Sequence, residues 1–257
     1  MSSKSKIEWT NASWNVVTGC TKVSAGCTNC YAETLSLRLQ KMGSKRYANA
    51  FKLTLHEDAL DLPLKWKEPK KIFVNSMSDL FHKDVPFDFI DKVWDVMLKT
   101  NQHIYQILTK RPEIMLKYLE ERKKVTHALN IQPKNIWLGT SVEDSRVIHR
   151  INTLRKVPAA VRFISFEPLI GDVGKVDLTD IHWAIVGGES GKNHRPIKQE
   201  WVQNILTQCR EQHVAFFFKQ WGGLTSKSGG RLFNGRTYDE YPETIPELHQ
   251  ESLIQHL

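Results

Sequence analysis

Short runs of apolar, β-branched and aromatic residues recur along the chain, each followed by polar or glycine-bearing residues and then by a helical pattern. These runs predict strands at residues 14–17, 72–74, 104–108, 136–138, 161–164, 183–186 and 214–218. Their apolar residues are continuous rather than alternating, so both faces of each strand need cover, which is typical of a parallel sheet. The recurrence therefore restricts the chain to an α/β fold.

Between these strands, apolar residues spaced three and four apart predict helices. One follows Pro86, a second follows Pro112, and a third follows the acidic pair Glu143 and Asp144; prolines and carboxylates are favoured in the first turn of a helix. Polar groups follow nearly every strand, whereas an open doubly wound sheet would concentrate them at one switch point. We therefore expect a full or partial (β/α) TIM-like barrel with parallel strands.

Residues 222–257 depart from this pattern. Asn234 and Gly235 lie between apolar or aromatic residues, which predicts a two-residue hairpin turn of type I′. We therefore expect two parts: a barrel with an N-terminal cysteine loop over residues 1–221, and a short C-terminal hairpin appendage packed on it over residues 222–257.

The composition favours an anionic partner. Lysine and arginine number 36 against 28 aspartates and glutamates, a formal net charge of +8. Such a surplus displaces counterions from phosphates, so we expect nucleic acid as the partner, with a well solvated basic surface as the alternative. No stretch approaches the roughly 20 apolar residues of a membrane span, and the N-terminus lacks an apolar signal core. We expect a cytoplasmic protein without a membrane partner; the sequence leaves its oligomeric state open.

Three of the four cysteines, Cys20, Cys27 and Cys30, are clustered near the N-terminus. Structural zinc sites usually close with four ligands and disulfides need pairs, so three thiols suggest a metal site with one open position. Thiolates select zinc or iron–sulfur clusters, and a 4Fe-4S cluster held by three thiolates has one iron without a protein ligand. We favour the cluster over zinc and over unligated thiols. Cys209 lies on an apolar helical stripe, which favours a buried, inert thiol over a fourth ligand.

The cysteine loop is predicted to lead directly into a helix. Gly19 and Gly26 precede two of the thiols and let the loop wrap closely around an ion or cluster. Directly after Cys30, apolar residues at helical spacing predict the helix; they are Tyr31, Leu35, Leu39 and Met42.

Carboxylates stand at or just beyond the ends of three successive predicted strands, at Glu143, Glu167 and Glu189. The strand ends of a parallel barrel converge on one mouth, so these side chains are candidates for binding ribose or amino groups, or for acid–base chemistry. The alternative is that each caps the helix that follows, which suits Glu143 best. Lys110 and Lys219 place cations at the same predicted face.

Three further features of the strand ends suit a nucleotide-like ligand. Trp221 follows Lys219 closely, and a cation beside an aromatic ring suits phosphates and an unstacked base, although Trp221 in the core is the alternative. Gly188 lies in a glycine-rich segment that lets adenine or ribose approach the backbone. Arg195 is placed to meet a carboxylate or phosphate, or to remain solvated.

Seven segments spread over nearly the whole chain share their motifs with one known family. They are residues 14–33, 73–81, 108–112, 137–143, 165–169, 186–191 and 217–223. On these residues the chain resembles the phage-associated three-cysteine-motif family, which is common in phages and prophages and is similar to radical S-adenosylmethionine (SAM) enzymes.

The resemblance implies a partial (β/α) barrel whose first loop binds a 4Fe-4S cluster through Cys20, Cys27 and Cys30. The free iron of such a cluster chelates SAM, and an electron from the cluster cleaves SAM to a 5′-deoxyadenosyl radical. The candidate SAM-binding residues are Asn75, Ser76, Ser78, Asp79, Ser141, Glu143, Glu167, Gly188 and Glu189. The candidate catalytic residues are Lys110, Glu167 and Lys219. An electron-donating partner protein is a further possibility of this class.

Two departures from the radical-SAM pattern bear on this prediction. The usual spacing is C-x3-C-x2-C with an aromatic residue before the last cysteine, whereas here six residues separate Cys20 from Cys27 and Tyr31 follows Cys30. The usual Gly-Gly-Glu after the second strand is absent. The polar residues that stand there as alternative acceptors are Asn75, Ser76, Ser78 and Asp79.

The sequence therefore predicts a radical-SAM-like iron–sulfur enzyme that modifies or repairs a substrate, expected to be nucleic acid. The alternative is a non-catalytic nucleic-acid-binding protein whose N-terminal loop is braced by zinc. Its fourth ligand would be Cys209, His56, His82 or His194. A third hypothesis, a phosphate-cleaving metalloenzyme that uses Glu143, Glu167 and Glu189, leaves the cysteines unexplained.

Overall fold

The computed structural model of the chain describes residues 5, 7–126 and 132–243. Its nine strands are β1 (Ala12–Trp14), β2 (Val17–Thr18), β3 (Thr54–Leu55), β4 (Lys71–Val74), β5 (Ile104–Thr109), β6 (Ile136–Ser141), β7 (Val161–Phe166), β8 (Trp183–Gly187) and β9 (Ala215–Gln220). Seven of them form one sheet in the order β1-β4-β5-β6-β7-β8-β9, and every neighbouring pair is parallel. The sheet curls into part of a barrel, which confirms the predicted fold class.

Five α-helices occur in the described ranges. They are α1 (Tyr31–Lys41), α2 (Phe87–Lys99), α3 (Pro112–Thr126), α4 (His149–Lys156) and α5 (Gln199–Glu211). Apolar residues of α2 to α5 share one core with alternate residues of the strands, so these helices cover the outer face of the sheet. None of the helices in these ranges is long and apolar enough to cross a membrane.

The strands bury both faces, as their continuous apolar pattern predicts. Ile72 and Val74 of β4 join the core with the helices, whereas Phe73 between them joins a second core inside the curled sheet. The second core is strongly aromatic: the ring of Trp183 lies 5.7 Å from that of Phe163 and 5.9 Å from that of Trp137 between centroids. The interior of the barrel is therefore a packed floor rather than a channel.

The inner face of the sheet changes from apolar to polar towards the carboxyl ends of the strands. On β6, alternate positions pass from Trp137 through Gly139 to Ser141; on β9, Lys219 is the next residue on the same face as Phe217. A Cβ atom on Gly139 would stand 2.6 Å from the Phe163 ring, so the missing side chain makes room for this ring in the floor. A polar rim thus surrounds an aromatic floor.

Two local predictions need correction. The single strand predicted at residues 14–17 is divided, because Asn75 accepts a hydrogen bond from the Val17 backbone (3.0 Å) and donates one to the Trp14 carbonyl (2.9 Å), and β2 pairs antiparallel with β3 instead. Helix α1 begins directly after Cys30 as predicted, but most of its apolar stripe is exposed. Its two buried residues are the small Ala32 and Ser36.

The predicted hairpin turn is confirmed. Asn234 and Gly235 both have positive φ, 49° and 76°, as a type I′ turn requires. Phe233 and Arg236 exchange two backbone hydrogen bonds of 2.9 and 3.1 Å across it. Residues 244–257 of the predicted appendage lie outside the described residues.

Candidate active site

A cavity of about 540 Å³ opens at the carboxyl ends of the strands. It is lined by strand-end residues and by the cysteine loop, residues 20–30. The predicted site residues that line it are Cys20, Cys27, Cys30, Asn75, Ser76, Ser78, Asp79, Lys110, Ser141, Glu167, Gly188, Glu189 and Lys219. Glu143 is the exception; it is only 1% exposed and does not reach the cavity wall. The structure therefore brings the predicted residues together, and their roles stay predictions.

The three cysteines of the loop are half-buried free thiols. Burial raises the pKa of Cys20 to about 11; the charge of Asp79 adds to this effect and Arg111 opposes it. Burial also raises the pKa of Cys30. Without metal these two thiols are therefore protonated at neutral pH, and a metal ligand has to lose its proton on binding.

The three loop cysteines are the soft donors that the cavity offers to a metal centre. No group of three or more His, Cys, Asp or Glu side chains in the described part of the chain is arranged to hold one metal ion. A 4Fe-4S cluster held by three thiolates has one iron without a protein ligand, so three thiols on one cavity suit such a group in number and type. The fourth cysteine, Cys209, is fully buried on α5 in the core, where its helical stripe placed it.

The three histidines considered as zinc ligands each have another partner. A ring nitrogen of His56 lies 2.8 Å from the Thr18 hydroxyl, and one of His82 lies 2.8 Å from the Thr21 hydroxyl. His194 lies 2.8 Å from the Gly191 carbonyl. Each imidazole therefore has a hydrogen-bond partner within the protein, on a distant segment for His56 and His82 and in its own loop for His194.

Asp79 is held in a buried ion pair with Arg111, whose Nη1 lies 2.8 Å from the Asp79 carboxylate. Its carboxylate also accepts hydrogen bonds from the backbone of Phe81 and Lys110 and from the Thr109 hydroxyl. Arg111 in turn reaches the start of the cysteine loop. It donates to the Thr21 carbonyl and hydroxyl, at 2.9 and 3.1 Å, and to the Cys20 sulfur at 3.7 Å.

Glu143 lies against the middle of the cysteine loop. It accepts a hydrogen bond from the Ser24 hydroxyl (2.5 Å) and ion-pairs with Lys110 and Arg150, both at 2.9 Å. Burial alone would raise the pKa of Glu143, but the charge of Lys110 and the Ser24 hydrogen bond outweigh it and lower the pKa. A methyl group on Gly26 would overlap this carboxylate, so glycine is required where the loop crosses it.

Glu189 holds the end of the loop together with Arg195. Its carboxylate accepts two bonds from the Arg195 guanidinium, one from the Arg195 backbone and one from Asn29. Burial opposes ionisation, but the hydrogen bonds from Arg195 and Asn29 keep the pKa of Glu189 below its usual range. Arg195 also donates to the Ala25 carbonyl at 2.9 Å. Of the two predictions for Arg195, a carboxylate partner is the one observed.

Glu167 differs from these carboxylates: among the described residues its one hydrogen-bond and ion-pair partner is Lys219, at 2.6 Å, and both residues line the cavity. The helix-cap alternative does not describe Glu143, Glu167 or Glu189. The residue that caps the turn after β6 is Asp144, which accepts a hydrogen bond from the Arg146 backbone.

Three buried polar atoms of cavity-lining residues lack a partner among the described residues: the Trp9 indole nitrogen, the Asn75 amide nitrogen and the Gln220 amide oxygen. Asn75 has a positive φ of 61°, and its amide oxygen is already bonded to the Val17 backbone. The amide nitrogen of Gln220 donates to the Ser190 hydroxyl at 3.1 Å. A buried amide left half-satisfied beside a cavity is a natural contact for a ligand.

Two predicted features of the strand ends have packing explanations. A methyl group on Gly188 would overlap the Trp221 carbonyl, so this glycine is required by the close approach of two backbones. The Trp221 ring packs 4.9 Å from Phe218 and 5.8 Å from Phe233 between centroids, and it does not line the cavity. The core alternative for Trp221 is the one observed.

Several residues of the site were not predicted from the sequence. Ser24 and Asn29 bond to the carboxylates of distant strands, and Trp9 and Gln220 line the cavity. Ser24 and Asn29 could have been identified from their positions between the cysteines, because a metal-binding loop needs side chains that fix its backbone. No pattern in the sequence pointed to Trp9, which comes before the first strand.

Fold and site together define a partial (β/α) barrel with three thiols and a polar rim around one cavity. The chain belongs to the family described as "Protein of unknown function (DUF5131)", which matches residues 4–242. A comparison with curated proteins found no match.

Solved structures of spore photoproduct lyase are similar to this chain. One, complexed with dinucleoside spore photoproduct, has a TM-score of 0.47 and 13% identity, covering 82% of this chain and 64% of that chain. Another, of a variant with bound AdoMet and dinucleoside spore photoproduct, has a TM-score of 0.46 with the same identity and coverage. The match thus spans less than two thirds of the length of that enzyme.

Proposed function

We propose that this chain is a radical-SAM-like iron–sulfur enzyme that cleaves SAM reductively to modify or repair nucleic acid. The observation that carries the proposal is that three half-buried thiols share one cavity with the polar strand ends, while the remaining cysteine is buried elsewhere. The proposal places the chain in the phage-associated family that its motifs resemble. It also implies a reducing, cytoplasmic setting, in which cysteines serve as metal ligands rather than disulfides.

Cys20, Cys27 and Cys30 would hold the cluster. When bound, a 4Fe-4S cluster and SAM supply an electron and a carbon-centred radical that abstracts a hydrogen atom from a substrate. The chain orients these groups and keeps water away from them. The buried rings of Trp9 and Phe73, 4.7 Å apart between centroids, form an apolar floor that suits this exclusion.

The half-satisfied amides on the cavity wall are the proposed contacts of SAM. The Asn75 amide nitrogen is a donor and suits the carboxylate of the methionyl group. The Gln220 amide oxygen is an acceptor and suits an amino or hydroxyl group. The other polar groups of this wall that would contact the cofactor are Ser76, Ser78, Ser141 and Gly188.

Glu167 and Lys219 are the proposed catalytic pair on the cavity side. The Lys219 ammonium donates to the Glu167 carboxylate at 2.6 Å, and both face the space where a substrate would lie. Lys219 would hold a proton and a positive charge there, next to an acceptor on Glu167. Lys110 lines the same cavity, but its ammonium is bound to Glu143.

The substrate class rests on charge and on the surface around the mouth. The net charge of +8 favours a polyanion. Three large apolar side chains that line the mouth are exposed: Val23, Tyr31 and Leu224, at 45%, 54% and 69%. Exposed apolar groups around a cavity suit the faces of unstacked bases. We also infer that residues 222–257 are an appendage to a barrel of residues 1–221, which the packing of Phe233 on Phe218 supports.

The experiment that tests this function is SAM cleavage. Protein prepared anaerobically and reconstituted with iron and sulfide is reduced with dithionite, and 5′-deoxyadenosine and methionine are measured. We expect both products from the natural chain and from Cys209→Ala, and neither from Cys27→Ala. A reconstituted protein that carries the cluster but neither binds nor cleaves SAM would contradict the proposal.

A further inference from the structure

We propose that the three carboxylates Asp79, Glu143 and Glu189 are positioning residues that hold the cysteine loop in its metal-binding shape before any metal arrives. The sequence made them candidates for binding SAM, whereas their contacts favour this other role. The inference rests on the proposed function in one respect, that the loop serves to hold a cluster. Its test requires no cluster.

The contacts divide the loop into successive parts. Asp79 acts through Arg111 on residues 20 and 21, Glu143 acts on residues 24 and 26, and Glu189 acts with Arg195 on residues 25 and 29. The stretches between these contacts, residues 22–23 and 27–28, are two residues long each, and the backbone of residues 27 and 28 is bonded to the Ser24 and Ala25 carbonyls. Cys27 and Cys30 each lie next to a held residue, and Cys20 contacts Arg111 directly.

The hydrogen-bonding capacity of these carboxylates is already used within the protein. Asp79 accepts four hydrogen bonds, and Glu189 also accepts four. A ligand that replaced these donors would have to break buried, charge-assisted contacts and release the loop. Glu167 has no hydrogen bond or ion pair with the loop among the described residues and accepts from Lys219 alone, so it is left to face a ligand.

A carboxylate that binds an arginine, which in turn binds the loop, fixes the backbone that carries the metal ligands without touching the metal. Such support keeps ligands near their working geometry, and its loss loosens a site that still contains every ligand. The three carboxylates follow β4, β6 and β8, and they come together only in the folded barrel. The loop is therefore expected to be ordered in the metal-free protein.

The test is hydrogen exchange of the metal-free full chain, followed by mass spectrometry. The reporters are the amides of Cys27 and Thr28, which bond within the loop to the Ser24 and Ala25 carbonyls at 3.0 and 3.2 Å. In Arg195→Gln and Arg111→Gln we expect these amides to exchange at least about tenfold faster than in the natural chain. The matched control is Arg210→Gln, which breaks a two-bond pair with Glu240 away from the loop and should leave the reporters unchanged.

A milder variant covers the case in which an arginine variant unfolds. Asn29→Ala removes the hydrogen bonds to Glu189 and to the Asn193 carbonyl and leaves all the ion pairs, so a smaller but local acceleration at residues 27–30 is expected. Unchanged loop exchange in Asn29→Ala and in the folded arginine variants would overturn the inference. If loop exchange responds as expected but the natural chain binds no cluster, the proposed function fails and the positioning role stands.

Discussion

The cysteine loop and the Glu167–Lys219 pair lie on the same cavity, and both depend on carboxylates at strand ends. Around the loop, the carboxylates of Asp79, Glu143 and Glu189 are bonded to loop residues or to arginines that reach them. Glu167 has Lys219 as its one ion-pair partner among the described residues, and both line the cavity. A position at a strand end thus places a carboxylate at the mouth of the cavity. Its hydrogen-bond partners determine whether it supports the cysteine loop or is available to a ligand.

The largest effect that sharpens this comparison is expected from Glu167→Gln. Turnover with an oligonucleotide substrate should fall on the order of 10²–10⁴-fold, the contribution of a positioned proton-transfer group. Iron and sulfide content should stay the same, because Glu167 has no hydrogen bond or ion pair with the loop in the described part of the chain. Single-turnover product formation and metal analysis on the same sample measure both; Glu143→Gln, the matched variant, should lower metal content instead. Lower metal content in Glu167→Gln together with unchanged metal content in Glu143→Gln would contradict the different roles assigned to these two carboxylates.

The next effect is the pH dependence of the metal-free thiols. The pKa of Cys20 in the folded protein is about 11, above its ordinary value of 9.0. The folded state therefore binds this proton more tightly than the unfolded state does, and its contribution to the free energy of unfolding is lost as the pH rises above 9. In a variant that retains only Cys20, alkylation should accelerate about tenfold per pH unit from pH 8 to 10, since the thiolate is the nucleophile. A rate that levels off below pH 9 would contradict this assignment. Cys209, retained alone, should stay unlabelled in the folded protein because it is fully buried.

A third comparison uses two glycines that lie beside carboxylates. Gly26→Ala places a methyl group in the Glu143 side chain, so we expect a loss of about 1–3 kcal/mol in unfolding free energy and a several-fold lower iron content. At Gly187 the nearest atom to an added Cβ is Glu167 Cδ at 3.3 Å, so Gly187→Ala should change stability by less than about 1 kcal/mol. Urea unfolding and metal analysis measure the two. Equal effects would mean that the loop does not rest on Glu143.

The smallest effect is expected away from both regions, in the hairpin. Gly235 has a φ of 76° and no atom near an added Cβ, so Gly235→Ala should cost about 1–2 kcal/mol through backbone conformation alone. Thermal unfolding measures this cost, and iron content should match that of the natural chain. A loss of iron in this variant would show that the hairpin supports the site.

Features that depend on neighbouring residues could be predicted from the sequence. The strands followed from continuous apolar runs, the hairpin from Asn234 and Gly235, and the buried state of Cys209 from its helical stripe. Helix α1 was predicted at the correct start, but the exposure of its stripe was not, because a helix pattern does not reveal whether another element covers it.

The partners of the strand-end carboxylates could not be predicted. Asn29 and Glu189 are 160 residues apart in sequence, and Ser24 and Glu143 are 119 apart. Such pairs are set by the curl of the sheet and by the path of the loop, neither of which leaves a local pattern. The glycine at position 26 was read as a loop residue, whereas its contact with Glu143 gives the specific reason.

The central claim is that Cys20, Cys27 and Cys30 hold an iron–sulfur cluster on this cavity. The most direct test is iron, zinc and acid-labile sulfide per chain after anaerobic purification, for the natural chain, Cys20→Ala and Cys209→Ala. We expect close to four irons and four sulfides per chain in the natural chain and in Cys209→Ala, which is the content of a 4Fe-4S cluster. Cys20→Ala should lose both iron and sulfide. One zinc per chain without sulfide, or equal metal content in all three proteins, would show that these cysteines do not hold such a cluster.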